Sequence, residues 1–369
     1  MNSLSWVEIN TQAIKYNIGQ FRKLLPKNYK IAGVIKSNAY GHGMIPMAEF
    51  LYKEKLVEYL AVANDLEALE LRARGVKLPI IVLSYWDEKN FPELINNNIE
   101  IAVYNLEQIK SLRRDAPVGR LKIHLKIDTG MNRLGVKPEE VDDFINKIKN
   151  TPYIKLQGLF SHFPVADEDI KFTGRQFLQF KDIVAKIKRR TAVPFVHIAN
   201  SAGAFFMDET CNLLRLGIAM YGLQPAFAKP SAQNPQFKLQ PALSWKTKVI
   251  QVKNIKAGER LSYGLTYKFK KDAKIAVLPI GYGDGYDRGL SNCGEVLIRG
   301  KRCPVRGRVC MNLTMVEVNE SVREGDEAVL IGRQGSEEIT ADELAGKIGT
   351  INYEIVTRIN SELEKILKF

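Results

Sequence analysis

The chain has 369 residues, with 54 Lys and Arg against 41 Asp and Glu, a formal net charge of +13 at pH 7. Hydrophobic residues make up 45% and charged residues 26%, an ordinary globular composition that excludes collagen-like, coiled-coil and wholly disordered chains. The length can bury a large core, and it predicts two domains, or one large barrel with something smaller.

The charge is spread, not concentrated. Split near residue 235, the first part carries 32 basic and 24 acidic residues (+8) and the second 22 and 17 (+5). There is no basic arm or tail, so no nucleic-acid partner is expected. The densest cluster, Arg299, Lys301, Arg302, Arg306 and Arg308 in RGKRCPVRGR, reads as a solvated face. The four cysteines, Cys211, Cys293, Cys303 and Cys310, form no C-x-x-C pair, and none of His42, His124, His162 and His197 lies near the last three in sequence. Neither a metal site nor a disulfide framework is expected. The N-terminus MNSLSWVEIN lacks a basic-then-apolar signal, and no apolar run is long enough to span a bilayer. The expectation is a cytoplasmic protein with no membrane partner.

In chain order, short apolar runs alternate with helical stretches. The strand candidates are YKIAGVIK, EYLAVAN, LPIIVLSY, IEIAVYN, LKIHLKID, IKLQGLFSHF, FVHIANS and LLRLGIAMYG. Between them lie MAEFLYKEK, DLEALELRARG, NLEQIKSLRR and PEEVDDFINKIKN, the last two opening on Asn105 as an N-cap and Pro138 in a first helical turn. Eight such strands, apolar along nearly their whole length, predict a (β/α)8 TIM-like barrel over residues 1–235. An open doubly wound sheet is the competitor, and no G-x-G-x-x-G follows the first strand to support it. Residues 223–243, with Pro225, Pro230, Pro235 and Pro241, read as a linker. Residues 236–369 then change to short β-like runs and predict a mainly-β C-terminal domain. One helix is expected in it, around ADELAGKIG, and a short helix at the end, in INSELEKILKF.

In a barrel, chemistry sits where strands end. Lys36 closes the first strand, Lys126 and Asp128 the fifth, Ser161 and His162 the sixth, Asn200 and Ser201 the seventh, while the eighth carries Arg215 before Gly217 and Ile218. Each also has a structural reading: Lys36 as a solvated rim residue, His162 as a core histidine, Arg215 as an ion-pair partner of Asp128. Five strands nevertheless place reactive groups at one end. A rim lysine beside a phosphate site after the last two strands suits a Schiff-base cofactor, and pyridoxal phosphate uses both.

The segments AGVIKSNAYGHG, KIDTGMNRLG, FSHF, HIANSAG, RLGIAMYG, LSYGLTY, PIGYGDGY, GRVCMN and TINYEIVTRI, between residues 32 and 359, resemble the bacterial alanine racemases, fold-type III pyridoxal-phosphate enzymes. The resemblance implies an isomerase that interconverts L- and D-alanine for cell-wall peptidoglycan. It implies that Lys36 carries pyridoxal 5'-phosphate, and that Tyr40, Ser201, Tyr353 and the backbone of Gly217 and Ile218 bind the phosphate. His197 would lie by the pyridine ring, with His162 and Asn200 around the cofactor, and Arg215 would face the ring nitrogen. Arg133 and Met311 would hold substrate, with Lys126 carbamylated to position Arg133 and Tyr282 in support. Lys36 and Tyr263 would be the two acid/base residues, one on each face of Cα. The family is a head-to-tail homodimer, so Tyr263 and Met311 would complete the partner subunit's site.

Three positions depart from the family's pattern. Asn312 replaces a frequent aspartate, Gly283 replaces a common alanine, and the C-terminus lacks the Pro-containing basic tail of many members. A racemase of serine or of several amino acids is the close alternative. A decarboxylase on the same barrel would carry a glycine-rich phosphate loop, which is not seen, and a vitamin B6 carrier would lack the second domain.

Overall fold

The computed structural model describes residues 4–111, 120–224 and 237–369. The chain forms two compact units. One comprises Lys15–Ser37 and Met44–Gln240, the other Met1–Ile14, Asn38–Gly43 and Pro241–Phe369. Pro225, Pro230 and Pro235 of the proline-rich stretch lie outside the described residues.

The first strand, β1 (Ser5–Asn10), belongs to the second unit. Eight parallel strands then build the first: β2 (Lys30–Val34), β3 (Tyr59–Val62), β4 (Ile80–Val82), β5 (Glu100–Val103), β6 (Leu121–Lys126), β7 (Ile154–Phe160), β8 (Phe195–His197) and β9 (Leu213–Leu216). Their spatial order is β8-β7-β6-β5-β4-β3-β2-β9. The two ends of that series meet, since Asn212 N donates to Val196 O at 3.0 Å and Arg215 N to Ala199 O at 3.3 Å. The sheet is therefore a nearly closed barrel, as expected. Its strands are largely apolar because helices cover the outer face: Ile80, Ile81 and Val82 are all fully buried. The intervening helices start where short polar side chains satisfy free backbone donors. Asn64 Oδ1 accepts from Glu67 N, Asn105 Oδ1 from Gln108 N, and Asp169 Oδ1 from Phe172 N.

The second unit is mainly β, also as expected. Its later strands are β10 (Leu243–Lys248), β11 (Gln251–Ile255), β12 (Arg260–Leu261), β13 (Tyr267–Lys268), β14 (Ala273–Leu278), β15 (Glu295–Ile298), β16 (Lys301–Pro304), β17 (Thr314–Val318), β18 (Glu327–Gln334), β19 (Glu337–Ile339) and β20 (Glu364–Lys368). The largest sheet runs β16-β15-β18-β10-β1-β20, with β19 on β18. Burial alternates along β10, where Leu243, Trp245 and Thr247 face the core, the pattern of an antiparallel sheet with one wet face.

Three expectations need correction here. The segment Ser5–Asn10, which a barrel starting at residue 1 would include, pairs antiparallel with β10 and parallel with β20. The end of the chain is not a helix: Glu364–Lys368 is a strand, because the open edge of β1 offers a row of backbone partners that outweighs the weak helix propensity of so short a segment. The second unit also holds a further helix, Asn352–Thr357, besides Ala341–Ile348.

Three of the five basic residues of the cluster are ion-paired. Arg302 pairs with Glu295, Glu337 and Glu343, Arg306 with Glu317, and Arg299 with Asp326. All four cysteines are free thiols. Among the described residues no group of His, Cys, Asp or Glu could hold a metal ion, and no helix is long and apolar enough to cross a membrane.

Candidate active site

Lys36 follows the end of β2 and opens an unusual turn. Ser37, Asn38, Ala39 and Tyr40 have φ of 52°, 53°, 54° and 54°. This is a left-handed helical turn made of residues with side chains, which costs on the order of 1–2 kcal/mol per residue. Strain of this kind persists only where surrounding contacts over-determine it. Glu67 supplies one such contact, its carboxylate accepting from Ser37 N at 2.6 Å and Ala63 N at 2.7 Å. Gly41 continues the positive φ at +83°, and a Cβ there would lie 2.0 Å from Val356 O.

Lys126 ends β6 and is 5% exposed. The loop after it is pinned at both ends, with Asp128 N donating to Val136 O and Val136 N to Lys126 O. Asp128 Oδ1 accepts from Gly130 N and Asn132 N, each at 3.0 Å, which sets the course of the loop that presents exposed Arg133. Next to it, Ser161 Oγ and Thr129 Oγ1 are 2.7 Å apart, and Gln176 Nε2 donates to Thr129 Oγ1 and to His162 O.

Arg215 is 3% exposed. Its guanidinium donates to Ser161 O and Ile198 O, each at 2.8 Å, and meets His197 Nδ1 at 2.6 Å and His162 Nδ1 at 3.1 Å. Among the described residues no carboxylate pairs with it, so the alternative of an Arg215–Asp128 ion pair does not hold. Phe160 lies at the centre of this group. Its ring stacks on His197, with centroids 4.9 Å apart and planes 7° apart. Lys126 Nζ and the Arg215 guanidinium lie 5.3 and 5.5 Å from its centroid, within range of a cation–π attraction.

The electrostatics follow from four cations in little space. Burial lowers the pKa of Lys36, and Arg133 and Arg215 lower it further against an opposing pull from Glu67. Burial brings Lys126 down to about 7, with Arg215, Arg133 and Lys36 adding to the shift. His162 and His197 lie well below the ordinary histidine value, first from desolvation and then from Arg215, so both are neutral at pH 7. Burial also lowers Arg215, to about 10, which leaves it charged.

At the neighbouring strand ends, Ser201 Oγ accepts from Gly217 N at 3.1 Å and Ala219 N at 3.4 Å. Asn200 Oδ1 accepts from Gly203 N. The barrel thus brings Lys36, Lys126, His162, His197, Asn200, Ser201, Arg215, Gly217 and Ile218 to the carboxyl ends of its strands.

The remaining expected residues lie in the second unit. The Tyr40 and Tyr353 rings are 6.2 Å apart. Tyr263 sits in a turn whose Ser262 hydroxyl donates to Arg308 O and meets Cys310 Sγ. Tyr282 N donates to Cys310 O and Gly283 N to Met311 O. Tyr263, Tyr282 and Met311 therefore share one loop cluster, at 74%, 42% and 57% exposure.

Sequence reasoning missed Glu100, His124, Phe160 and Gln176. Glu100 and His124 carried a signal, since each is a polar residue flanked on both sides by apolar ones in a barrel-strand segment. Phe160 stood in the FSHF segment without a role of its own, and Gln176 carried no signal.

The alanine racemase N-terminal domain model matches residues 9–225 and the alanine racemase C-terminal domain model residues 242–367. An alanine racemase of Halothermothrix orenii is 41% identical over 99% of this chain and 97% of its own length. The crystal structure of alanine racemase from Bacillus anthracis with bound L-Ala-P superposes with a TM-score of 0.92 at 36% identity, covering 100% of this chain and 96% of that one. The histidine racemase of Leuconostoc mesenteroides superposes with a TM-score of 0.90 at 27% identity, covering 100% and 99%. Over its whole length, with the lysine, arginine and serine clusters at the barrel's strand ends, the chain belongs to the alanine racemase family and is an amino-acid racemase.

Proposed function

We propose that the protein interconverts L- and D-alanine with pyridoxal 5'-phosphate bound at the carboxyl ends of the barrel strands. One observation carries this reading: a lysine with a lowered pKa, a buried arginine without a carboxylate and a hydroxyl-and-amide cradle meet at one end of one barrel. The donor set fits the cofactor. Its phosphate needs hydroxyl and backbone N–H donors, which Ser201, Gly217 and Ile218 offer, and we assign Tyr40 and Tyr353 to it as well. Its pyridine nitrogen needs a partner, Arg215, flanked by His162, His197 and Asn200. Its aldehyde needs an amine, Lys36.

When bound, pyridoxal phosphate supplies an electron sink that makes the substrate Cα–H acidic. Lys36, neutralised more readily by its burial, takes or returns a proton on one face of Cα. Tyr263 of a second copy does so on the other, with Tyr282 supporting that loop and Met311 beside the substrate. Two residues on opposite faces invert the centre without turning the substrate. Arg215 holds its protons firmly and so leaves the pyridine nitrogen unprotonated. That restrains the electron sink and disfavours transamination. Arg133 receives the substrate carboxylate. The Lys126 amine, with a pKa of about 7, is nucleophilic at neutral pH. Its nitrogen bonds to the carbon of CO2 and loses a proton, giving a carbamate anion among three cations.

The exposed Tyr263, Leu265, Tyr282, Met311 and Leu313 form the apolar surface that a homodimer would cover. In that reading the enzyme is cytoplasmic and supplies D-alanine for peptidoglycan. A racemase of serine or of several amino acids is the second reading, and the similarity to a histidine racemase favours the broader of the two.

The test is to incubate the protein with pyridoxal phosphate and a panel of L-amino acids and to measure the D-enantiomers. Alanine should react fastest, and Lys36→Ala should lose about a thousandfold or more. Full activity in Lys36→Ala would overturn the mechanism, whereas faster turnover of another amino acid would change only the substrate.

A further inference from the structure

Arg215 is a buried cation that no carboxylate of the described residues touches, yet the barrel interior holds a carboxylate. Glu100, on β5, is 1% exposed, and its Oε2 lies 2.8 Å from Nε2 of His124 on β6. His124 Nδ1 lies 3.0 Å from His197 Nε2, and His197 Nδ1 lies 2.6 Å from the Arg215 guanidinium. His124 and His197 are both fully buried.

The direction of this line is forced. Arg215 can only donate, so His197 Nδ1 accepts and carries no proton. A neutral His197 then has its proton on Nε2 and donates to His124 Nδ1. His124 in turn has its proton on Nε2 and donates to Glu100. A proton on both His124 nitrogens would face the His197 Nε2 proton and break the series. The fold also makes room for it. The strand register shifts between Ile123 and His124, and a Cβ on Gly158 would lie 2.2 Å from His124 Nδ1. Only a glycine on β7 lets this imidazole occupy its place.

We infer that Glu100 and His124 are positioning residues for Arg215: they supply its counter-charge at two imidazoles' remove and fix the tautomers that aim its remaining donors. Lys122 Nζ, 3.7 Å from Glu100 Oε1 and 28% exposed, shares the carboxylate through the oxygen that His124 does not touch. A carboxylate in direct contact would compete with any ring nitrogen for the guanidinium, whereas a remote one leaves Arg215's free N–H groups available. The inference rests on the cofactor reading above.

The experiment compares wild type, Glu100→Gln, Arg215→Lys and the double variant, each loaded with pyridoxal phosphate. It reads the visible absorption of the bound cofactor, kcat and KM for alanine, and melting temperature. Glutamine keeps the acceptor oxygen and removes the charge. Glu100→Gln should shift the absorption and lower kcat about tenfold with KM held within about twofold, the scale of loss for removing a partner that orients a ligating group. In the Arg215→Lys background the same change should have almost no further effect, because coupled residues are not additive. Wild-type absorption and kcat in Glu100→Gln would overturn the inference, and so would independent, multiplicative losses. If Glu100→Gln does not fold, His124→Asn is read in the same way. A wild-type protein that binds the cofactor but racemises no alanine overturns the substrate reading alone, and the absorption cycle still decides the role of Glu100. One that binds no cofactor overturns both.

Discussion

The Phe160 ring lies parallel to the His197 imidazole, 4.9 Å away, and carries Lys126 and Arg215 within cation–π range. One aromatic side chain therefore packs against three polar groups of the site. It fills volume, excludes water and offers its face to the Arg215 guanidinium and to Lys126 in its protonated form. Phe160→Leu keeps most of the volume and removes the ring. We expect a loss of about 1–2 kcal/mol, from imperfect packing and lost cation–π attraction, together with a clear fall in kcat. Urea unfolding and steady-state kinetics check both, and unchanged kcat would show that the ring serves packing alone.

Lys126 predicts a pH dependence of stability. Its folded pKa of about 7 lies below the ordinary 10.5, so between those values the unfolded chain binds the proton more tightly than the folded one. Its contribution to stability therefore rises with pH across roughly 7 to 10. In CO2-free buffer the urea midpoint of the wild type should climb more steeply over that interval than that of Lys126→Met. Parallel slopes would refute the assignment. With carbon-13 bicarbonate, wild type alone should show a carbamate resonance.

Tyr263 should separate proton abstraction from inversion. With Tyr263→Phe in heavy water, Lys36 still exchanges the Cα proton of one enantiomer, but no group returns it on the other face. Racemisation should fall about a hundredfold or more while deuterium enters the Cα of a single enantiomer without inversion. Equal loss of exchange from both enantiomers would count against two bases.

Two glycines should behave oppositely. Gly283→Ala would place a Cβ 3.1 Å from Met311 O on backbone that needs no left-handed conformation, so the change should stay within about 1 kcal/mol. Gly41→Ala meets Val356 O at 2.0 Å with φ at +83°, and should cost about 3 kcal/mol or more, since the left-handed turn after Lys36 cannot close around it. Thermal melting of the two variants checks the contrast.

The eight apolar runs, the change of texture past the proline-rich stretch and the chemistry at the strand ends were all legible in the sequence. Strand periodicity and residue type are local properties, and parallel strands buried on both faces leave a strong signal. Lys36, Lys126 and Arg215 stood out because a charge at the end of such a strand is costly to bury. The tertiary structure decided what depends on neighbours distant in sequence. Ser5–Asn10 becomes a strand by pairing with Leu243–Lys248, far along the chain, and Glu364–Lys368 becomes one only because it meets the edge that Ser5–Asn10 leaves open. The left-handed turn at Ser37–Tyr40 is opposed by local sterics, so only outside contacts hold it. The direction of the line from Arg215 to Glu100 follows from donors and acceptors on four strands. All four of its members sit inside apolar runs, where sequence shows a polar residue but not its partner.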